Sequence, residues 1–181
     1  MKHTIQIIIS KLQYQLGAFL FFSGVARVHY RVHEFAMRTL QRAADSDHTA
    51  AQLLIGKLLK YRGATVYNKI SGVNYLRQSA NKGSPEAQFM LAEALVDQTL
   101  VKNGSQYKGI DVGISTSIEN QKDSTIQENP ADLYLLAAGA GHAIAALRLS
   151  KIYKEGTLGL ERDLTQSEYW FAEFMKHGKQ D

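Results

Sequence analysis

Hydrophobic residues in this chain recur at steps of three and four positions, which is the spacing of one face of an α-helix. The clearest example is residues 133–163, where an apolar stretch, a break at Gly141, an alanine-rich stretch and a turn between Gly156 and Gly159 follow one another. This order predicts a hairpin of two short antiparallel helices. Other segments of the chain match the same hairpin.

The matches show an internal repeat. The pair Ala43-Ala44 returns as Ser79-Ala80 after 36 residues, as Ala137-Ala138 after 58 and as Phe174-Met175 after 37. The second helices repeat as well, in the segments that begin at Ala51-Gln52, Ala87-Gln88 and Ala145-Ala146. An excess of 22 residues therefore separates the second and third full repeats.

Small residues at these positions predict closely packed helices, because Ala, Gly or Ser allows two helix backbones to approach. Turn residues agree with the predicted boundaries. Ser84 followed by Pro85 is typical of a helix start. Gly83, Gly141 and Gly178 are expected to end helices in the left-handed conformation.

The third repeat resembles a Sel1-like repeat, a relative of the tetratricopeptide repeat. The resemblance rests on Gly156-Thr-Leu-Gly159-Leu-Glu-Arg-Asp163 and on the aromatic residues of Glu168-Tyr169-Trp170-Phe171 that follow. The turns after Arg62 and at Asp97 lack the glycine pair and depart from the pattern. The resemblance implies an all-α fold, a right-handed α-solenoid of antiparallel helix pairs with about three full repeats, half repeats at both ends and one long insertion loop.

The repeat boundaries predict a single domain over residues 1–181, a length that suits one core or a short solenoid. We expect a partial leading repeat at 1–30, full repeats at 31–63, 64–98 and 130–163, an insertion at 99–129 and a terminal half repeat at 164–181. The insertion is rich in polar residues and glycine, and long loops of this kind are often functional or disordered.

The apolar segment from Leu16 to Phe22 has two interpretations. Followed by Ser-Gly-Val-Ala26, it is similar to the end of a signal peptide. It also aligns with the second helix of a repeat, since Gln13 and Gly17 match Gln52 and Gly56. We favour the helix. The apolar run is short of the roughly 20 residues of a membrane span, so we expect no stable span and a cytoplasmic rather than a periplasmic location.

The candidate chemistry is sparse. The absence of cysteine excludes disulfides, thiolate metal sites and cysteine nucleophiles. His29 and His33 lie one helical turn apart, but no third metal ligand is evident, so we expect no metal and no cofactor. His48 and His142 occupy the same repeat position and are expected to be structural. No nucleotide-binding motif and no catalytic triad are recognisable, so we expect that the chain is not an enzyme.

Charge is distributed unevenly. Residues 1–82 carry 12 Lys and Arg against 3 Asp and Glu, whereas residues 83–181 carry 9 against 14. The first helices of such repeats line the concave side. Positions four apart on these helices therefore predict a binding surface that changes from basic to acidic, consisting of Arg38, Arg42, Asn74, Arg77, Gln78, Asp132, Leu136, Tyr169 and Glu173.

The expected partner is another protein with the opposite charge gradient, rather than nucleic acid, because the cations are not interleaved with stacking aromatics. Apolar residues near both ends, such as Ile7 to Ile9 and Trp170 to Phe171, also predict self-association. The resemblance implies a bacterial adaptor or scaffold. Two alternatives remain: an immunity protein that caps a secreted toxin, and a β-lactam-binding or cell-wall enzyme, which the absence of cysteine disfavours.

Overall fold

The computed structural model describes residues 2–24, 29–63, 65–103 and 129–178, and within these ranges it is built of eight α-helices without strands. The prediction of an all-α chain is thereby confirmed. In chain order the helices are α1 (Lys2–Phe22), α2 (Tyr30–Asp45), α3 (Thr49–Arg62), α4 (Val66–Asn81), α5 (Pro85–Asn103), α6 (Pro130–Gly139), α7 (Ala143–Glu155) and α8 (Leu164–His177).

The helices form two compact units. Unit 1 (Met1–Lys82) contains α1 to α4, and unit 2 (Gly83–Asp181) contains α5 to α8. Within each unit every helix packs against the next helix in the chain. This succession of helical hairpins is the arrangement that the internal repeat predicts.

The boundary of the predicted insertion differs from the structure at one end. Helix α5 continues to Asn103, so the insertion does not begin at residue 99. At the other end, the side chain of Asn129 accepts a hydrogen bond from the backbone nitrogen of Ala131 and starts α6. The rest of the insertion, residues 104–128, lies outside the described residues.

The core of unit 1 lies where α1, α2 and α3 meet. Leu40, Ala43 and Ala44 of α2 are buried against Ala51 and Ile55 of α3. Tyr14, Ala18 and Phe21 of α1 pack against this cluster. The buried alanines of α2 recur at helical spacing, and they bring α3 close enough for its own alanine to be fully enclosed.

Small residues mark the helix crossings. A Cβ atom added to Gly17 of α1 would lie 2.8 Å from Cγ of Leu40, and one added to Gly56 of α3 would lie 2.8 Å from Cγ of Leu76. At the matching crossing of α7 and α8, Ser167 Oγ donates a hydrogen bond of 2.8 Å to the carbonyl oxygen of Ser150. The same repeat position is therefore a close contact between helices in both units.

The turns follow the predicted chemistry with one exception. Gly83 and Gly141 have positive φ, as expected, and the hydroxyl of Ser84 accepts a hydrogen bond from the nitrogen of Ala87. Gly178 was expected to be left-handed, which is wrong, because its φ is −73°. Its nitrogen donates to the carbonyl oxygen of Phe174 at 2.8 Å, so the helical hydrogen-bond pattern continues through it.

Candidate protein-binding surfaces

Five of the predicted binding residues belong to unit 1, where they lie on α2 and α4. These residues, which we name the α2/α4 face, are Arg38, Arg42, Asn74, Arg77 and Gln78. All are exposed except Arg77, which is half-buried. Arg77 Nη1 donates a hydrogen bond of 2.8 Å to Oδ1 of Asn74, so these two side chains are held together along α4.

A hydrogen bond between Tyr75 and Asp45 joins the two helices of this face. Tyr75 Oη donates to Asp45 Oδ1 at 2.5 Å, and Tyr75 also packs against the core around Leu40. Burial, together with the hydrogen bond to Asp45, raises the pKa of Tyr75 to about 12. The phenol therefore remains a donor at neutral pH and fixes the position of α4 beside the end of α2.

Buried Gln52 contacts the same face from the core side. The sequence pattern did not predict this role. Gln52 Nε2 donates to the carbonyl oxygen of Ala44 at 3.2 Å and to Oε1 of Gln78 at 3.0 Å. Lys82 Nζ donates to its Oε1 at 3.2 Å. The repeated Ala-Gln dipeptide was the available signal, because a glutamine at a buried repeat position needs partners.

The carboxylates of unit 1 are engaged by neighbouring donors. Glu34 pairs with Arg38 at 2.6 Å, Asp45 accepts from Tyr75, and Asp47 binds Lys82. The hydrogen bond from Lys82 holds the pKa of Asp47 below its usual value. Since residues 1–82 contain 12 basic and 3 acidic residues, the unit keeps a large positive excess after these pairs are formed.

The four predicted residues of unit 2 lie on two helices that both pack against α7. Asp132 and half-exposed Leu136 belong to α6, and Tyr169 and Glu173 belong to α8. Tyr169 packs edge-on against Trp170, with ring centroids 5.0 Å apart. Glu173 Oε2 lies 3.5 Å from Nζ of Lys176 and 3.2 Å from Nε2 of His177, so this carboxylate is already engaged within α8. The predicted charge gradient along all nine residues stays a prediction.

His48 and His142 occupy the same repeat position, and both cap helices, as that position predicts. Nδ1 of His48 accepts from the nitrogen of Ala51 at 3.2 Å, and Nδ1 of His142 accepts from that of Ala145 at 3.2 Å. Each ring stacks on an aromatic residue at the same repeat position, Tyr14 for His48 and Phe89 for His142. Burial lowers the pKa of His48, which favours the neutral form that the cap requires.

Helix α1 presents a large apolar surface. Ile5, Ile8, Leu12, Phe19 and Phe22 are all more than half exposed. The segment Thr4–Phe22 is long and apolar enough to cross a membrane, and 11% of it is buried. The expectation that the apolar run is too short for a span is therefore wrong, because the apolar stretch begins well before Leu16. A signal sequence near an N-terminus and the core helix of a soluble protein share this length and composition.

No cluster of three metal-ligating side chains occurs among the residues that the structure describes. His29 is exposed and precedes α2, while the ring of His33 lies 5.6 Å from that of Phe21. The two imidazoles thus have different surroundings. The described residues bring no further ligand to them.

No family model matches this chain, and no curated protein is similar to it at a significant level. Solved structures do match. A Sel1 repeat protein from Oxalobacter formigenes superposes over 93% of this chain with a TM-score of 0.62 and 15% identity. The c5321 protein, a protective antigen of uropathogenic Escherichia coli strains with an SLR fold, superposes over 93% with a TM-score of 0.64 and 22% identity. The chain has the Sel1 repeat fold.

The chain spans 58% of the length of the Oxalobacter protein and 31% of the Escherichia protein. The match confirms the predicted all-α solenoid fold. At these identities the likeness is one of fold, so the partner must be inferred from the surfaces of this chain.

Proposed function

We propose that this chain is a non-catalytic adaptor or scaffold whose α2/α4 face binds an acidic segment of a partner protein. The observation that carries the proposal is the set of exposed polar and basic side chains on two helices that Tyr75 and Asp45 join. This hydrogen bond links the two helices without a partner. A surface that is organised in advance loses less entropy when a partner docks.

The electrostatics of unit 1 favour an acidic partner. The ion pair between Arg38 and Glu34 is exposed, with 71% of the arginine side chain accessible, and such pairs contribute little to stability. Arg38 is therefore free to exchange Glu34 for a carboxylate of the partner. Arg42, one turn further along α2, presents a second guanidinium, and arginine binds carboxylates in a bidentate geometry.

The hydrogen bond between Gln52 and Gln78 adds specificity. Gln78 is exposed, yet its Oε1 is held by Gln52 from the core. Its amide nitrogen is thus left as a donor for a partner, in addition to the exposed arginines of α2. A row of donors of this kind favours carboxylate and backbone carbonyl groups of a protein segment.

The proposal is tested by photo-crosslinking in the native host. A photoreactive amino acid replaces Arg42 or Gln78 on the proposed face, and in matched controls it replaces Arg62 or Lys69, which are also exposed. We expect the same protein to be crosslinked from positions 42 and 78 and not from positions 62 and 69. Equal crosslinking from all four positions, or crosslinks from the control positions alone, would contradict a binding role for this face.

The identity of the crosslinked protein distinguishes the two binding roles. A regulator or envelope protein supports the adaptor role. A secreted toxin instead supports the immunity role on the same surface. Both outcomes are binding functions, and neither requires a catalytic residue.

A further inference from the structure

A groove opens between α7 and α8 in unit 2. It has a volume of about 530 Å³ and is lined by apolar Leu147 and Phe171, by Ser150, by three basic residues and by one acidic residue. The charged residues are Lys151, Lys154, Glu155 and Arg162. The groove thus combines two partly exposed apolar side chains with more positive than negative charge, although residues 83–181 are acidic as a whole.

The repeat relates this groove to other helix pairs in the chain. Ser150 matches Gly17 of α1 and Ala92 of α5, and Phe171 matches Leu40 of α2 and Tyr134 of α6 in the alignment of the hairpins. The pairs α1 with α2, α5 with α6, and α7 with α8 are therefore copies of one arrangement. The pair α3 with α4 is a further copy, in which Gly56 meets Leu76 and Leu76 is 0% exposed.

The copies formed by α1 with α2 and by α5 with α6 are each covered by the next helix of the same unit, whereas the copy formed by α7 with α8 is open. Leu40 is 0% exposed because α3 packs over it through Ala51 and Ile55. Tyr134 is 2% exposed, and α7 lies against α6 there. Phe171, at the same position, is 49% exposed, and no described helix of unit 2 covers it. The element that fills the equivalent grooves is in both cases the second helix of a hairpin.

An ion pair between α7 and α5 shows how a covering helix contacts the edge of the groove between α5 and α6. Arg148 of the covering helix α7 binds Glu93 of α5, with Nε 2.9 Å from Oε1 and Nη2 3.1 Å from Oε2. Lys151 occupies the position of Glu93 in the open groove. Its present partner is Glu155 at 3.9 Å, an exposed pair that is easily exchanged. The open groove therefore presents a positive charge where the covered groove presents a negative one.

We propose that the groove between α7 and α8 binds an amphipathic helix of a partner protein that presents a carboxylate to Lys151. The apolar side of this helix covers Leu147 and Phe171, as α3 covers Leu40 and α7 covers Tyr134. Its acidic side faces Lys151, Lys154 and Arg162. This binding site belongs to unit 2 and does not depend on the α2/α4 face of unit 1.

A second copy of the chain is a less favourable occupant. The most exposed apolar helix of the described residues, α1, contains no Asp or Glu, and its described charged side chain is Lys11. Docking of α1 into the groove would place positive charge against positive charge. A partner helix that carries acidic residues avoids this repulsion.

The test uses the full chain and two labelled, helix-stabilised peptides with the sequence of residues 142–155. One peptide keeps Arg148, and the other carries Arg148→Glu. Fluorescence anisotropy should show that the peptide with Arg148→Glu binds the wild-type chain about tenfold more tightly, because its carboxylate meets Lys151. In the chain with Lys151→Glu the preference should reverse. Phe171→Ser should weaken the binding of both peptides, since it removes apolar contact area.

The matched control is Lys176→Glu, which has the same charge change on α8 at a residue that does not line the groove. The affinity of this variant for each peptide should stay within about twofold of the wild-type value. Circular dichroism checks that every variant is folded. Equal binding of both peptides, binding of neither, or no reversal by Lys151→Glu would overturn the proposal. A wild-type dimer in sedimentation that Phe171→Ser converts to a monomer would also overturn it, because the occupant would then be a second copy.

Discussion

Gly56 and Gly72 face each other where α3 crosses α4, and a Cβ atom added to Gly72 would lie 2.9 Å from the carbonyl oxygen of Gly56. The same atom would lie 2.5 Å from the backbone nitrogen of Lys60. These are contacts with backbone, which cannot rotate away. The two helices are therefore as close as their backbones allow at this point, and glycine at position 72 is a packing requirement.

Gly72→Ala should destabilise the protein by roughly 1–3 kcal/mol or more, because α3 and α4 must move apart to admit a methyl group. The matched control is Gly139→Ala, since a Cβ atom there meets no other atom within 4 Å. That substitution should be neutral or slightly stabilising. Urea denaturation of both variants measures the difference. If Gly72→Ala is as stable as Gly139→Ala, the close approach of the helices is not present in solution.

The fully buried alanines of the second helices provide another test of packing. Ala51 and Ala87 are 0% exposed, so replacement of either one by Leu should lower the free energy of unfolding by roughly 1–3 kcal/mol through overpacking. Ala172→Leu, at an exposed position of α8, is the control and should change stability little. Thermal unfolding monitored by circular dichroism compares the three. Unchanged melting temperatures for both buried variants would refute the repeat register.

Much of this fold was predictable because helical repeats depend on local sequence patterns. The Ala-Ala and Ala-Gln pairs give the register, and the packing of Ala43, Ala51 and Ile55 follows from it. The end of α5 and the conformation of Gly178 were not predictable. Residues 99–103 mix polar and apolar side chains and are compatible with either loop or helix. A glycine after a helix adopts positive φ only if the following chain turns away.

The proposed binding surface was predictable only in part. Exposure of Arg38, Arg42 and Asn74 follows from helical periodicity, and the structure agrees with it. The bond between Tyr75 and Asp45 joins residues 30 positions apart, and the support of Gln78 by Gln52 joins residues 26 apart. Contacts of this kind depend on the crossing geometry of the helices, which a periodic pattern does not specify.

The cap formed by His48 predicts a pH dependence of stability. Burial lowers its pKa in the folded state below the value of about 6.5 in the unfolded chain. Protonation therefore favours unfolding, so the stabilisation by this group is complete above the unfolded pKa and is lost as pH falls through the folded pKa.

His48→Asn keeps an N-cap acceptor but removes this titration. The variant should lose less stability than wild type between pH 7.5 and pH 5.5, when both are measured by urea denaturation; this window lies above the titration range of ordinary carboxylates. It should also be less stable than wild type at pH 7.5, because the stacking of His48 on Tyr14 is lost. An equal loss of stability in both proteins on acidification would show that His48 does not titrate in this way.

The proposed function is tested most directly by the rate at which the crosslinked partner associates with charge variants of unit 1. The double variant with Arg38→Gln and Arg42→Glu changes the charge of the α2/α4 face, and the control with Lys69→Gln and Arg62→Glu makes the same net change elsewhere in unit 1. Stopped-flow measurements at low and high ionic strength compare both with wild type. If the α2/α4 face binds an acidic partner, the association rate of the first variant should fall by about tenfold or more at low salt and lose most of its salt dependence, while the control changes much less. An unchanged association rate for the Arg38 and Arg42 variant at low ionic strength would contradict the proposal.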